Sequence, residues 1–262
     1  MSVYIKTPVE LIAMREAGRI VGQIQEAIRN AIKPGVTTGH LNKLAEDILR
    51  KYNTVSPFMN YAHRQGKRPF PASICTCVND ELVHGIPGPR VLQEGDIISV
   101  DCGCWYKGFV GDGGFNMGVG KVSPAAQRIL DVSQQALQLG IEACRLPNET
   151  KAISQAIQRY VENQGFNVVR EYSGHGVGRN MHEEPQIPNW WPQGRQRDRN
   201  WKSTPLKPGM VITIEPMIMA GKYDVKELDD DWTVATKDGS LCTFTEHSVA
   251  ITENGPLILT LP

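Results

Sequence analysis

The chain reads as an α+β fold with sheet at the centre, helices outside and two related halves. Two helix-then-strand blocks follow one another along the chain. Parts of the second also repeat the first at a fixed offset: Lys33-Pro-Gly-Val-Thr-Thr-Gly-His-Leu-Asn-Lys-Leu-Ala resembles Leu146-Pro-Asn-Glu-Thr-Lys-Ala-Ile-Ser-Gln-Ala, and Leu92-Gln-Glu-Gly-Asp-Ile-Ile-Ser-Val-Asp101 resembles Leu206-Lys-Pro-Gly-Met-Val-Ile-Thr-Ile-Glu215. Offsets of about 113 and 114 positions between these pairs are the mark of a duplicated unit. Ile97, Ser99 and Asp101 share one strand face, and Val211, Thr213 and Glu215 share the matching one. Asp101 and Glu215 are therefore expected to be symmetry mates, with halves of about 8–120 and 121–262 forming one domain over residues 1–262.

Thr7-Pro-Val-Glu10 supplies a capping hydroxyl, a proline at the first helical position and a glutamate that reaches back to the cap, so a helix starts there. Its apolar stripe runs through Ala17, Ile20, Val21, Ile24, Ala27, Ile28, Ala31 and Ile32 until Pro34-Gly35 ends it. Leu41, Leu44, Ala45, Ile48 and Leu49 mark a second helix. Ser123-Pro124 opens a third, with Ile129, Leu130, Ala136, Leu137 and Ile141 inward, and Ile153, Ala156, Ile157, Tyr160 and Val161 line a fourth. Short apolar or alternating β-branched runs predict strands at about 73–78, 96–104, 108–119, 167–174, 210–219, 232–235, 242–252 and 256–261.

With 262 residues the chain can bury a full core. Lys plus Arg and Asp plus Glu both number 28, so net charge argues for neither nucleic acid nor an acidic substrate. No apolar run approaches membrane-spanning length, and the start Met-Ser-Val-Tyr-Ile-Lys-Thr-Pro lacks the layout of a signal peptide, so a cytoplasmic protein without membrane contact is expected. Cys75, Cys77, Cys102, Cys104, Cys144 and Cys242 form no paired Cys-x-x-Cys pattern and read as reduced thiols.

Asp101, Asp112, His175, Glu215 and Glu246 each fall within or at the exit of a strand-like segment. Any one of them alone reads as a solvated edge residue. Charged side chains are rarely buried unless paired or metal-bound, so acids brought together from both halves need cations. Four carboxylates and one imidazole suit hard divalent ions such as Mn, Fe or Co, and supply enough oxygens and charge for two of them. A two-metal hydrolytic site follows. The segment Asn189-Trp-Trp-Pro-Gln-Gly-Arg195-Gln-Arg197-Asp-Arg199-Asn-Trp201-Lys has no helical or strand period and reads as a long loop. Its tryptophans could pack on the body, its arginines could touch RNA or a peptide, or it could close over a substrate.

Tyr172-Ser-Gly-His175-Gly-Val-Gly-Arg-Asn-Met-His182-Glu-Glu-Pro-Gln-Ile-Pro-Asn-Trp190 resembles the signature of type I methionine aminopeptidases. Ile5-Lys-Thr-Pro-Val-Glu, Val78-Asn-Asp-Glu-Leu-Val-His84-Gly-Ile-Pro, Glu215-Pro-Met and Asp231-Trp232-Thr-Val extend the resemblance over essentially the whole chain. The five ligand types stand in the family's order, Asp101 and Asp112 eleven positions apart, Glu215 and Glu246 thirty-one.

This resemblance implies the pita-bread (creatinase/aminopeptidase) fold, with two pseudosymmetric halves around an antiparallel sheet, and removal of the initiator methionine from nascent polypeptides with a small second residue. It implies two divalent ions (Co, Mn, Fe or Zn) held by Asp101, Asp112, His175, Glu215 and Glu246, with Asp112 and Glu246 bridging. Glu215 would be general base as well as ligand, His182 an oxyanion donor, and His84 would position the peptide or protonate the departing amine. Phe70, Cys75, Met181 and Trp232 would line the methionine pocket, though each alone reads as core. The expected partner state is a monomer meeting nascent chain N-termini, with ribosome association as a further expectation.

Two features depart from the family. Gly113-Gly114 follows Asp112 where a hydroxyl residue is common, which bears on support of the bridging aspartate, and the Trp/Arg segment lengthens the interval from His175 to Glu215. Neither the zinc-finger extension of eukaryotic type I members nor the helical insertion of type II members is found. Two alternatives use the same fold: an Xaa-Pro peptidase, whose relatives usually carry a further N-terminal domain, and a nonenzymatic adaptor, whose relatives generally lose ligands.

Overall fold

The computed structural model describes residues 3–63, 65–192 and 202–262. Arg195, Arg197, Arg199 and Trp201 lie outside them. The first half runs α1 (Pro8–Ala31), α2 (Thr38–Lys51), β1 (Ile74–Val78), β2 (Glu81–Val83), β3 (Ile97–Tyr106) and β4 (Phe109–Gly118). The second runs α3 (Pro124–Glu142), α4 (Thr150–Asn163), β5 (Asn167–Val168), β6 (Ser173–Gly176), β7 (Glu183–Pro188), β8 (Val211–Ile214), β9 (Met217–Met219), β10 (Val225–Glu227), β11 (Val234–Thr236), β12 (Cys242–Phe244), β13 (His247–Thr252) and β14 (Gly255–Ile258).

All four helices form where the apolar stripes place them. Thr7 and Glu10 make the reciprocal capping box at the start of α1, and Ser123 caps α3 through the Ala126 amide. The strands pair antiparallel as β1-β3-β4, β10-β11-β2, β12-β9-β5 and β14-β13-β8-β6-β7. In the first half, Ile20, Ile24 and Ile28 of α1 and Leu41 of α2 cover Ile98, Val100 and Phe115 of the β3–β4 hairpin. In the second, Ile129, Ala136, Ile153 and Ile157 of α3 and α4 cover Ile212, Ile214 and Val249 of β8 and β13. Ile98 and Val100 thus correspond to Ile212 and Ile214 at the repeat offset. The intervening Ser99, Asp101, Thr213 and Glu215 are left for the opposite face, where the two halves meet.

That meeting is hydrogen-bonded. Gly114 and Glu246 exchange backbone bonds of 3.2 and 2.8 Å. Ser99 Oγ lies 2.9 Å from Thr243 Oγ1 and accepts the Phe244 amide at 3.1 Å, while Asn116 Nδ2 donates to Thr243 Oγ1 at 2.9 Å.

Three predicted strands are interrupted. The run at 210–219 breaks between β8 and β9 at Glu215-Pro216, and the run at 242–252 breaks between β12 and β13 at Thr245-Glu246. At each break the chain leaves one sheet for another, and Pro216 has no amide to continue a ladder. The run at 167–174 likewise divides into β5 and β6. The strands β2 and β10, of three residues each, are too short for a visible alternation, and β7 carries two prolines among polar residues.

β4, which carries Asp112, is pressed against α1. A Cβ on Gly111 would lie 2.7 Å from backbone atoms of Ala17 and Gly18, whereas one on Gly88 meets nothing within 4 Å. Gly111→Ala should therefore cost about 1–3 kcal/mol and lower the thermal midpoint by roughly 2–10 °C. Gly88→Ala should stay within about 0.5 kcal/mol of the parent. Calorimetry of the two variants checks this, and equal midpoints would contradict the close helix–strand contact.

Candidate metal centre

The β3–β4 hairpin sets the first two acids. Asp101 pairs with Gly114 and Gly103 with Asp112, so the two aspartates are diagonal neighbours on one face of the hairpin. The residue opposite each is glycine because the space is occupied. A Cβ on Gly103 would approach Pro57 Cγ to 2.6 Å, and one on Gly114 would approach Phe244 Cε2 to 2.6 Å. Glu246 arrives from the second half at the break between β12 and β13. Carboxylate oxygens of Asp101, Asp112 and Glu246 lie within 4.8 Å of one another. His175, on β6, brings Nε2 to 3.7 Å from Asp112 Oδ2 and 3.6 Å from Glu215 Oε1.

The supporting contacts aim these groups. His175 Nδ1 lies 2.9 Å from the Gly176 carbonyl, which directs Nε2 to the acids, and the His175 amide donates to Thr213 Oγ1 at 2.9 Å. Thr213 Oγ1 in turn donates to Glu215 Oε1 at 2.8 Å. The Asp112 carbonyl accepts Ser248 Oγ at 2.7 Å. Gly113 is bounded by Gln25 and Thr260, whose side-chain atoms would be 3.2–3.3 Å from a Cβ there. The segment after Asp112 is therefore closely packed by α1 and the C-terminal strand region, with no hydroxyl at position 113.

Without a cation this arrangement is electrostatically costly. Burial first, and then the neighbouring carboxylates, push Asp112 and Glu246 well above the ordinary range. Burial raises Asp101 to about 7 and Glu215 to about 8, and lowers His175 to about 3, so the imidazole is neutral. Asp101 Oδ1, Asp112 Oδ1 and Glu246 Oε1 are buried with no hydrogen-bond partner among the described residues. Orphaned carboxylate oxygens beside a neutral imidazole fit hard divalent cations. Burial and Asp101 push the nearby Cys75 thiol far up, which makes it a poor ligand.

Every predicted catalytic, metal-ligating and methionine-pocket residue lines the same cleft, of about 580 Å³: the five above, with Phe70, Cys75, His84, Met181, His182 and Trp232. Phe70 and Cys75 are buried in an apolar cluster that Met181 and Trp232 flank, and the Phe70 and Trp232 rings meet edge-on at 5.3 Å. His182 stacks obliquely on His175, ring centroids 4.3 Å apart. His84 adopts a left-handed backbone, φ +59, its ring 5.6 Å from Tyr172 and 6.2 Å from Trp232.

Sequence reasoning missed Tyr61, whose hydroxyl lies 2.7 Å from His182 Nδ1, and His63, edge-on to Trp232 at 4.9 Å. It also missed Phe58 and Ile86 in the apolar cluster. Residues 58–70 have no period that would have flagged them. Of the Trp/Arg segment, Trp190 packs on Arg170 and Trp191 is buried, its amide donating to Gln158 of α4.

A family profile described as metallopeptidase family M24 matches residues 12–253. The methionine aminopeptidase of Clostridium acetobutylicum is 46% identical over 260 residues, covering 99% of each chain. The crystal structure of methionine aminopeptidase from Thermotoga maritima superposes with a TM-score of 0.91 at 37% identity, covering 100% of both chains. The prolidase of Pyrococcus furiosus shares the fold alone, with a TM-score of 0.76 at 23% identity over 98% of this chain and 65% of that one.

The raised carboxylates set a pH dependence. Asp and Glu titrate near 3.9 and 4.3 when unfolded. With Asp101 at about 7 and Glu215 at about 8, the cation-free fold binds more protons than the unfolded chain, so its stability falls as pH rises through that window. His175 and His247, held at about 3 and about 4, act in the opposite sense only below the unfolded histidine value of about 6.5. The melting temperature of chelator-treated protein should therefore drop between pH 6.5 and 8.5, and added Mn²⁺ should raise it more at 8.5. A pH-independent midpoint without metal would contradict the cluster's electrostatics.

Proposed function

Because the chain belongs to metallopeptidase family M24, within which its close relatives are methionine aminopeptidases, we propose that it removes the initiator methionine from polypeptides whose second residue is small. The observation that carries this reading is the adjacency, in one cleft, of the carboxylate–histidine cluster and the apolar cluster around Phe70, Cys75, Met181 and Trp232. A cation-binding end can take a peptide's reacting carbonyl, and an apolar end can take an unbranched thioether.

In this reading Asp101, Asp112, His175, Glu215 and Glu246 would hold two divalent ions. When bound, such ions polarise a carbonyl and make water nucleophilic at neutral pH. Glu215, oriented by Thr213, accepts the proton released as water attacks and passes it on. The Tyr61 hydroxyl lies 2.7 Å from His182 Nδ1; in the tautomer in which Tyr61 donates, His182 carries its hydrogen on Nε2 and offers it to the developing oxyanion, a contribution of about 3–4 kcal/mol for a well-placed donor. His84 positions the peptide or protonates the departing amine.

The cellular substrates would be nascent chain N-termini, met in the cytoplasm by a monomer able to visit the ribosome. No helix among the described residues is long and apolar enough to cross a membrane. Retention of all five ligand types argues against the adaptor reading. The Xaa-Pro reading shares this fold and site, and substrate choice separates it.

Asp112→Asn and Glu246→Gln should abolish release of methionine from Met-Ala-Ser and lower bound metal, because each removes a charge that the cations require. His84→Ala and His182→Ala should keep most metal and lose about 100-fold or more in turnover, whereas His175→Ala should lose metal too. Metal analysis beside peptide assays decides between these roles, and severe metal loss in His182→Ala would reverse the assignment.

Substrate choice gives a separate test. Met-Ala, Met-Gly and Met-Ser peptides should be cleaved well and Met-Leu, Met-Lys and Met-Phe poorly, since a clash of about 1.4 kcal/mol in the transition state already gives tenfold discrimination. Mass spectrometry of peptide digests reads the outcome. Efficient cleavage of Leu-Ala or Met-Phe would contradict the pocket, and cleavage before proline whatever the first residue would favour the Xaa-Pro reading.

A further inference from the structure

Lys6 is 3% exposed, an unusual place for an ammonium, and it lies beside the turn that carries His182. Its amide donates to the Gly209 carbonyl at 2.8 Å, and Nζ donates to Glu183 Oε2 at 2.9 Å and to the Tyr4 carbonyl at 3.4 Å. Glu183 directly follows His182 and opens β7. Its Oε1 accepts the Asn180 amide at 3.1 Å, so this one carboxylate closes the turn bearing Met181 and His182.

The turn is wedged from both sides. Gly178, at its entry, has no side chain because a Cβ would fall 2.6 Å from Lys6 Cε and 2.7 Å from Glu183 Oε2. The Gly178 carbonyl accepts the Val110 amide at 2.7 Å, two residues before Asp112 on β4. A second ion pair from the same N-terminal segment, Glu10 with Arg179 at 2.9 Å, lies at the surface, with the Arg179 side chain 57% exposed.

An apolar pair of similar volume would fill the Lys6–Glu183 space about as stably, because desolvating two charges offsets their attraction. Charge-assisted hydrogen bonds add direction, which methyl groups lack. We propose that Lys6, acting through Glu183, is a positioning residue that holds the His182 turn in register with the carboxylate cluster, so that turnover depends on the pair more than substrate or metal binding does. The functional half of this proposal rests on the reading of His182 as oxyanion donor.

The test uses the metal-loaded full chain. Lys6→Met alone should destabilise the protein, because it strands the Glu183 charge. The double variant Lys6→Met with Glu183→Met should recover the melting temperature and metal content, yet turn over Met-Ala-Ser at least about tenfold more slowly with KM within about twofold, as expected when a reacting group is misplaced by a fraction of an ångström. Amide exchange at residues 178–183 should quicken in the double variant while α3 stays unchanged. Arg179→Gln, which removes the surface pair with Glu10 and the stacking of Arg179 on the Phe109 ring but leaves Lys6–Glu183 intact, should keep the parental kcat and KM.

Parental kcat in the double variant, a change in KM alone, or unchanged exchange at 178–183 would overturn the proposal. Should the double variant fail to fold, Glu183→Gln, equal in shape but uncharged, decides on the same readings. Full turnover by His182→Ala, or no cleavage of Met-Ala-Ser by the parent, would instead remove the functional reading. The exchange data would then still report whether the pair holds the turn.

Discussion

Four carboxylates drawn into one poorly solvated space repel one another, and much of this architecture keeps them there. An isolated buried carboxylate would take up a proton or swing out to water. Here Asp101 and Asp112 are fixed by the β3–β4 register, and Glu246 is held by reciprocal backbone bonds to Gly114. Glu215 is held through its side chain by Thr213 and through its carbonyl by Asn189 Nδ2 at 3.0 Å. Asp101 Oδ1, Asp112 Oδ1 and Glu246 Oε1 are left without hydrogen-bond partners among the described residues, a set of oxygens suited to cations.

The cluster lies on the line between the halves because neither half alone supplies it. Asp101 and Asp112 come from the first half, and His175, Glu215 and Glu246 from the second. Each half covers its strands with its own helices, so the uncovered strand faces turn toward each other. The polar side chains Ser99, Asn116 and Thr243 bond across that join and leave the acids as the groups still requiring partners. Breaks in the second-half strands serve the same end. A continuous ladder would keep Glu215 and Glu246 in the pleat, whereas the crossings between sheets release them toward the cavity.

Around the cluster, position is controlled at several distances. His175 is set by backbone and hydroxyl contacts, His182 by Tyr61 on one side and by the turn that Glu183 closes on the other. The apolar wall is steadied by Trp232, whose Nε1 donates to the Arg68 carbonyl at 2.8 Å and whose ring meets both Phe70 and His63. Loops so constrained can present reacting groups accurately although they lack regular structure.

The sequence by itself determined the four helices, the α+β class, the matched strand faces of the two halves and the identity of the five clustered groups. These are legible because they rest on local rules: a capping box at Thr7, a 3.6-residue stripe, strand parity, and charges set where apolar residues are expected. Tertiary structure alone decided where the long strands break, what crowds Gly113, and which neighbours aim each group. Tyr61 reaches His182 across 121 positions and Lys6 reaches Glu183 across 177. No periodicity couples residues so far apart. Such contacts exist only once the halves have closed, because they are set by the packing of whole elements and not by the preference of any one segment.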